Sequence, residues 1–126
     1  MKNPEISKKA IKKGVFGISK RLKRSFQKRA TQVEVIKNHM DNAPYPILVW
    51  GDFNDTPNSF AYYKIAKGLK DSFLEKGNGI GSTFFGKIPF LRIDYILHSP
   101  KFKTTTFTTL QQELSDHKAI ESSFGF

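Results

Sequence analysis

The chain contains no cysteine, and this absence excludes several kinds of site. Without a thiol, its 126 residues form no disulfide framework, no thiolate metal centre and no cysteine nucleophile. No apolar run approaches membrane-spanning length, and the first residues lack the apolar segment and cleavage site of a secretory signal. The cellular location therefore stays open, because a full-length protein could be cytoplasmic or membrane-anchored.

The positive charge is concentrated at one end of the chain. Of the 21 Lys and Arg residues, 12 lie before Asp41, where only Glu5 and Glu34 are acidic, and the remainder of the chain is balanced. Because Pro4, Gly14 and Gly17 interrupt any helical pattern, residues 1–19 are predicted to be a basic flexible arm or loop. Such a segment is usually solvated, but it could also attract nucleic acid or an anionic membrane surface.

Residues 20–126 are predicted to form an α/β domain. Apolar residues recur at three- and four-residue steps from Leu22 to Met40, which predicts an amphipathic helix packed on the core. The apolar stretch Ile47–Trp50 predicts a strand covered on both faces, and Thr56 followed by Pro57 predicts the start of a second helix. Three further strands are predicted at Leu91–Leu97, Phe102–Leu110 and Ala119–Phe124.

Two carboxylates and an amide follow the first strand, in the segment Gly51-Asp52-Phe53-Asn54-Asp55. In an extended chain Asp52 and Asn54 point to the same side. Asp52 could then orient a water molecule while the Asn54 amide holds a phosphoryl oxygen. The alternative is that these residues build a turn and that Asp55 or Thr56 caps the next helix.

A second group of candidates combines aspartate with histidine. Asp94 falls inside a predicted strand, where a carboxylate needs a partner, and either Arg92 or a histidine could supply it. His117 is the candidate histidine, and Asp116 beside it could bind a divalent cation. His39 and His98 are interpreted as structural.

The three motifs together resemble a known family. Gly51-Asp52-Phe53-Asn54, then Arg92-Ile93-Asp94-Tyr95, then Ser115-Asp116-His117 occur in the order seen in the second half of endonuclease/exonuclease/phosphatase superfamily proteins. The resemblance covers residues 20–126. It implies the C-terminal half of a four-layer, DNase-like α/β sandwich, with a mixed or antiparallel sheet and flanking helices.

The same resemblance implies a chemistry and a set of roles. It implies a phosphoester hydrolase that uses Mg²⁺, or Mn²⁺ in its place, acting on nucleic acid, a phospholipid headgroup or an inositol phosphate. The implied roles are Asp52 as water-orienting base, Asn54 as phosphate ligand, Asp94 as partner of His117, His117 as the phosphate-contacting acid/base and Asp116 as metal ligand.

One part of the family pattern has no counterpart in this chain. The family's first half supplies the principal metal-binding glutamate, and neither Glu5 nor Glu34 lies in a strand context. The chain alone is therefore expected to be inactive or nearly so, with an uncovered sheet face that pairs with the missing N-terminal half or with another copy. The alternative from another class is a non-catalytic fragment that binds anionic polymers.

Overall fold

The structure is a computed structural model that describes residues 4–126, with side chains described at residue 12 and from residue 17 onward. Every pair of neighbouring strands is antiparallel. One sheet has the order β1-β3-β2, and the second pairs β4 with β5. The elements are α1 (Pro4–Asp41), β1 (Leu48–Asp52), α2 (Phe60–Ala66), β2 (Lys70–Asp71), α3 (Ser72–Lys76), β3 (Asp94–His98), β4 (Lys103–Thr109) and β5 (Ile120–Gly125). The predicted α/β class, with antiparallel strands and flanking helices, is confirmed.

Helix α1 is longer than the sequence predicted. The helix begins at Pro4, so residues 4–19 are helical where the sequence predicted a loop over residues 1–19. Gly14 and Gly17 lie inside it, because an isolated glycine costs a helix only about 1 kcal/mol relative to alanine. The division of the chain into a basic segment and a domain starting at residue 20 stays a prediction.

The core lies where α1 and α2 pack on the sheet. Val33 of α1, Ala61 and Ile65 of α2, and Tyr95 and Leu97 of β3 are buried and form one cluster. Ile93, just before β3, and Tyr95 and Leu97 within it are all buried. The apolar face of α1 is only partly used, because Leu22 and Phe26 remain exposed.

Strand β1 differs from its prediction, because it is not covered on both faces. Leu48 is 40% exposed and Trp50 is 72% exposed. Within residues 4–126, β3 is the only strand that pairs with β1, so the other edge of β1 is free. Leu48 and Trp50 face an open cleft of about 680 Å³ between β1 and the C-terminal part of α1. None of the helices in the described part of the chain is long and apolar enough to cross a membrane.

Helix α2 starts later than the sequence predicted, and helix α3 was not predicted at all. The N-cap of α2 is Ser59, whose hydroxyl accepts a hydrogen bond from the Tyr62 amide, so the helix starts three residues after the predicted cap Thr56. Helix α3 has five residues and is capped by Asp71 through the Phe73 amide. A helix of five residues is too short to show apolar periodicity.

Arg92 is not the partner of Asp94. Its guanidinium donates to Asp71 Oδ2 at 2.7 Å, and both side chains are buried. The same carboxylate oxygen accepts a hydrogen bond from the Tyr62 hydroxyl at 2.7 Å. Burial, followed by this hydrogen bond, raises the pKa of Tyr62 to about 12. Asp94 is thereby left to another partner.

Candidate functional site

Asp52 ends β1 and starts a tight turn. Its Oδ1 accepts a hydrogen bond from the Asn54 amide at 2.7 Å, so the side chain does build a turn, as the alternative interpretation expected. Asn54 has a φ of 51°, a left-handed conformation that asparagine tolerates better than most residues. Its position therefore follows from this turn and not from strand alternation. Gly51, with φ 151°, precedes the carboxylate.

The turn occupies only one oxygen of Asp52. Asp52 stands opposite Asp94 in the antiparallel register of β1 and β3, which brings two carboxylates to one end of the sheet. Asp94 is the first residue of β3, not a mid-strand residue as predicted. At a strand end a carboxylate keeps access to both solvent and a partner, which lowers the cost of its partial burial.

His117 meets this strand end from a loop near β5. Its Nδ1 lies 2.8 Å from Asp94 Oδ2, so the two groups share a hydrogen bond. Its Nε2 lies 3.7 Å from Asp52 Oδ2, beyond hydrogen-bond distance. The backbone of the loop is held by Ser115, whose hydroxyl accepts from the His117 amide at 3.0 Å.

The two carboxylates favour the charged form of the imidazole. The hydrogen bond that His117 donates to Asp94 is the largest influence and raises the pKa of His117. Partial burial opposes this increase, while the negative charges of Asp94, Asp52 and Asp116 add to it. A proton on Nδ1 directed at Asp94 leaves Nε2 facing the gap toward Asp52.

The structure brings three of the predicted site residues into contact range. One ligand atom from each of Asp52, Asp94 and His117 lies within 4.8 Å of the others. Asn54 is exposed and lines the same cleft as Asp52. Asp116, the predicted metal ligand, is exposed and is not part of that group of three. These positions leave the predicted catalytic and ligand roles as predictions.

The other two histidines lie outside this group. His98 is fully buried, with Nε2 2.7 Å from Glu75 and 2.9 Å from the Thr104 hydroxyl, as expected of a structural histidine. His39 is exposed on α1 and lines the open cleft beside β1.

The donor atoms of this site suit a divalent cation, but the chain supplies only some of the ligands that such a cation needs. Mg²⁺ prefers oxygen ligands in octahedral geometry, whereas the group of three offers two carboxylates and one nitrogen. Asp94 Oδ2 is already engaged by His117, whereas Asp52 Oδ2 is an oxygen available to a cation. The exposed carboxylate of Asp116 is a second available oxygen donor. The remaining ligands would come from water, substrate or other protein groups.

Several residues that shape the site were not predicted. Arg29 of α1 donates to Asp55 Oδ2 at 2.9 Å and ties the helix to the loop after β1. Asp55 was predicted to act only in a turn or cap. Thr83 and Phe84 contact the segments that carry Asp94 and His117, and the ring of Phe84 meets the His117 ring edge-on at 5.4 Å. Neutral residues in an irregular segment have no sequence pattern that would indicate such contacts.

Comparison with protein families finds one matching model. Residues 21–117 match the model of the Endonuclease/Exonuclease/phosphatase family. No curated protein matches the chain significantly.

Solved structures share the architecture. The chain is similar to a protein of unknown function from Enterococcus faecalis, with 24% identity, a TM-score of 0.67, and coverage of 77% of this chain and 44% of that one. It is also similar to an endonuclease/exonuclease/phosphatase protein from Bacteroides vulgatus, with 26% identity, a TM-score of 0.65, and coverage of 77% of this chain and 43% of that one. A mannosyl-6-phosphatase from Bacteroides thetaiotaomicron is similar as well, with 23% identity, a TM-score of 0.64, and coverage of 78% of this chain and 46% of that one. The chain thus spans less than half the length of these structures.

Proposed function

Because this chain belongs to the endonuclease/exonuclease/phosphatase family, we propose that it carries part of the active site of a metal-dependent phosphoester hydrolase. The observation that supports this most directly is the position of the His117 imidazole. It lies 2.8 Å from Asp94 on one side and 3.7 Å from Asp52 on the other. An imidazole oriented by one carboxylate and facing a second is suited to binding and protonating phosphate oxygens.

The proposed reaction is the attack of water on phosphorus. Asp52 orients the water and accepts one of its protons while the new P–O bond forms. The bond from phosphorus to the leaving oxygen breaks, and that oxygen takes a proton from solvent. His117, held by Asp94, donates a hydrogen bond from Nε2 to a phosphoryl oxygen, and the Asn54 amide donates to another.

A divalent cation completes the proposal. Mg²⁺, or Mn²⁺ in its place, would bind oxygens of Asp116 and Asp52, and when bound it would neutralise charge on the phosphoryl group. The structural comparison with a mannosyl-6-phosphatase adds a sugar phosphate to the substrates worth testing. The other substrate classes are a nucleic acid, a phospholipid headgroup and an inositol phosphate.

The chain supplies only part of such a site. It covers 43% to 46% of the solved structures to which it is similar. The cleft beside β1 is lined by apolar residues and runs into the cleft that contains Asp52 and Asn54, since Ile36, Val49 and Trp50 line both. We propose that the N-terminal half of the same fold covers this cleft and adds the missing metal ligand. In its absence, a second copy of the chain would cover the same face.

Binding measurements test the proposed chemistry without requiring turnover. Mn²⁺ added with inorganic phosphate should broaden backbone amide resonances of residues 51–54 and 115–118, because a paramagnetic ion acts only on nearby nuclei. Residues of α1 distant from the site serve as the internal control. Asp116→Asn should weaken the broadening at least several-fold. Broadening confined to α1, or none at all, would contradict the proposed site.

Turnover measurements test the proposed incompleteness. With Mg²⁺ or Mn²⁺, the chain alone should hydrolyse phosphomonoesters and phosphodiesters at the background rate, and His117→Ala should change nothing. Robust turnover that His117→Ala abolishes would refute the incompleteness while supporting the hydrolase. Samples containing a chelator give the metal-free reference.

A further inference from the structure

We infer that Thr83 is a positioning residue that holds Asp94 and His117 in register with each other. This inference rests on the proposed function, because it concerns the same pair. Thr83 is only 1% exposed and lies between α3 and β3, outside the regular elements. Its side chain and its backbone contact two different segments of the site.

The side chain of Thr83 fixes the start of β3. Its Oγ1 accepts hydrogen bonds from the amides of Ile93 at 3.0 Å and Asp94 at 3.1 Å. Strand β1 occupies one side of β3 here, whereas β2 pairs only with Leu97 and His98 at the opposite end of β3. The hydroxyl therefore satisfies backbone amides that the sheet leaves free at the Asp94 end.

The backbone around Thr83 fixes the loop that carries His117. The Thr83 carbonyl accepts from the Lys118 amide at 2.7 Å, and the Phe85 amide donates to the Asp116 carbonyl at 2.8 Å. Between these bonds, Phe84 forms an antiparallel bridge with His117. His117 is thus bracketed on both sides by bonds to residues 83–85.

These contacts explain how two distant segments reach hydrogen-bond distance. Asp94 and His117 are 23 residues apart, and in the described part of the chain neither sheet pairs their segments directly. Thr83 bonds to both segments, so the Asp94–His117 distance depends on it. A displacement of about 1 Å at a catalytic group costs on the order of 100-fold in rate.

The inference depends on the hydroxyl oxygen, which substitutions can isolate. Thr83→Val keeps the shape and removes the acceptor, leaving one buried and one partly buried amide without this partner. Thr83→Ser keeps the acceptor and removes only a methyl group. Thr104→Val is the matched control, because Thr104 is also 1% exposed but bonds to Glu75 and His98, outside this site.

The experiment measures which nitrogen of His117 carries the proton. In the full chain with chelator present, at one fixed pH where the imidazole is neutral, ¹⁵N chemical shifts of the ring report the two tautomers. A hydrogen bond to Asp94 favours the Nδ1–H tautomer, so Asp94→Asn defines the value without that carboxylate. Urea unfolding of each variant establishes that it is folded under these conditions.

The expected results separate the two variants of Thr83. Thr83→Val should lower the Nδ1–H fraction by about twofold or more toward the Asp94→Asn value, while Thr83→Ser and Thr104→Val should retain the wild-type fraction. An unchanged fraction in folded Thr83→Val would overturn the inference. If Thr83→Val does not fold, a changed fraction in Thr83→Ser overturns it and a retained one supports it.

This readout does not depend on catalysis. A wild-type chain that fails to bind Mn²⁺ and phosphate, but whose tautomer responds to Thr83→Val as expected, would sink the proposed function and leave the positioning role intact. The reverse result would leave the hydrolase proposal standing and remove Thr83 from it.

Discussion

His117 Nε2 lies 3.7 Å from Asp52 Oδ2, which is too long for a hydrogen bond and leaves the two groups facing each other across a gap. An oxygen atom of water or phosphate lying beside this gap, about 2.8 Å from each atom, would contact a donor on one side and an acceptor on the other. The His117 side chain should therefore favour the binding of an anion, and the Asp52 carboxylate should oppose it.

Substitutions at the gap should change phosphate affinity in opposite directions. With chelator present, His117→Ala should weaken the binding of inorganic phosphate, whereas Asp52→Asn should strengthen it by removing a like charge. Unit charges about 4 Å apart in water interact by about 1 kcal/mol, which corresponds to about fivefold in affinity. Amide chemical shifts during a phosphate titration provide the measurement. Changes of the same sign in both variants would contradict this arrangement.

Acid stability should depend on Glu75. Burial alone would raise its pKa, but hydrogen bonds from Thr104 and His98, with the charges of His98 and Lys70, outweigh burial and lower it. A lowered folded pKa means that this stabilisation is present above the ordinary value of 4.5 and is lost as the pH falls through the folded pKa.

Replacing Glu75 should show this window directly. The stability difference between wild type and Glu75→Gln, from urea unfolding, should be largest near neutral pH and should shrink in acid. Glu121→Gln, which alters an exposed glutamate of β5, controls for loss of one carboxylate. If wild type became more stable relative to Glu75→Gln as the pH fell, the expected lowering of the Glu75 pKa would be contradicted.

The buried pair Arg92–Asp71 should contribute far more than an exposed one. Arg92→Met leaves the Asp71 carboxylate buried without its cation, and breaking such a pair costs about 3–5 kcal/mol. Lys64→Met breaks a surface pair with Glu34 and should cost less than about 1 kcal/mol. Urea unfolding at low temperature compares the two variants. Equal losses would show that burial of the first pair does not matter.

The apolar cleft beside β1 should drive self-association of the isolated chain. Leu48→Lys places a charge on the exposed face of β1 and should shift sedimentation toward the monomer. Leu74→Lys is the matched control, since Leu74 is 69% exposed and lies on α3. Trp50 is the single tryptophan of the chain, so its emission should shift to the red on dilution. A monomer at all concentrations would exclude this use of the cleft.

The basic side chains of α1 should bind polyanions independently of the site. Replacement of Lys20, Arg21, Lys23 and Arg24 by alanine should reduce affinity for a nucleic acid or an anionic vesicle and flatten its salt dependence. Asp52→Asn and His117→Ala should leave that affinity unchanged. If they also weakened it, the polyanion would be contacting the site itself. Fluorescence anisotropy at several salt concentrations measures both.

Periodic patterns in the sequence predicted most elements of the fold. Four of the five strands were located, β1 and β3 from their apolar residues and β4 and β5 from residue types that favour strands, and the helix ending near residue 41 was located by its three- and four-residue steps. Strand β2 and helix α3 are too short for such patterns. The loop predicted over residues 1–19 was wrong from Pro4 onward, because the helix-forming residues around Gly14 and Gly17 outweigh the cost of two interior glycines.

The candidate site was predictable in its residue types but not in its geometry. Asp52 at the end of a predicted strand, Asp94 inside another and His117 just before a third were the candidates, and the structure places these three together. The pairing of β1 with β3, which creates that proximity, depends on contacts between residues far apart in sequence. The buried hydroxyl of Thr83 gave no indication, because a neutral side chain acquires its partners only when the chain folds.

Position 54 has two requirements, a left-handed backbone conformation for the turn and a side-chain amide for the proposed phosphate contact. Glycine adopts a φ of 51° without strain but has no side-chain amide, so Asn54→Gly would preserve the turn and remove the group proposed to bind phosphate. A β-branched replacement would disturb both. In a saturation library scored separately for folding and for phosphate capture, position 54 should therefore give two different tolerance profiles, whereas glycine alone should suit position 51 in each.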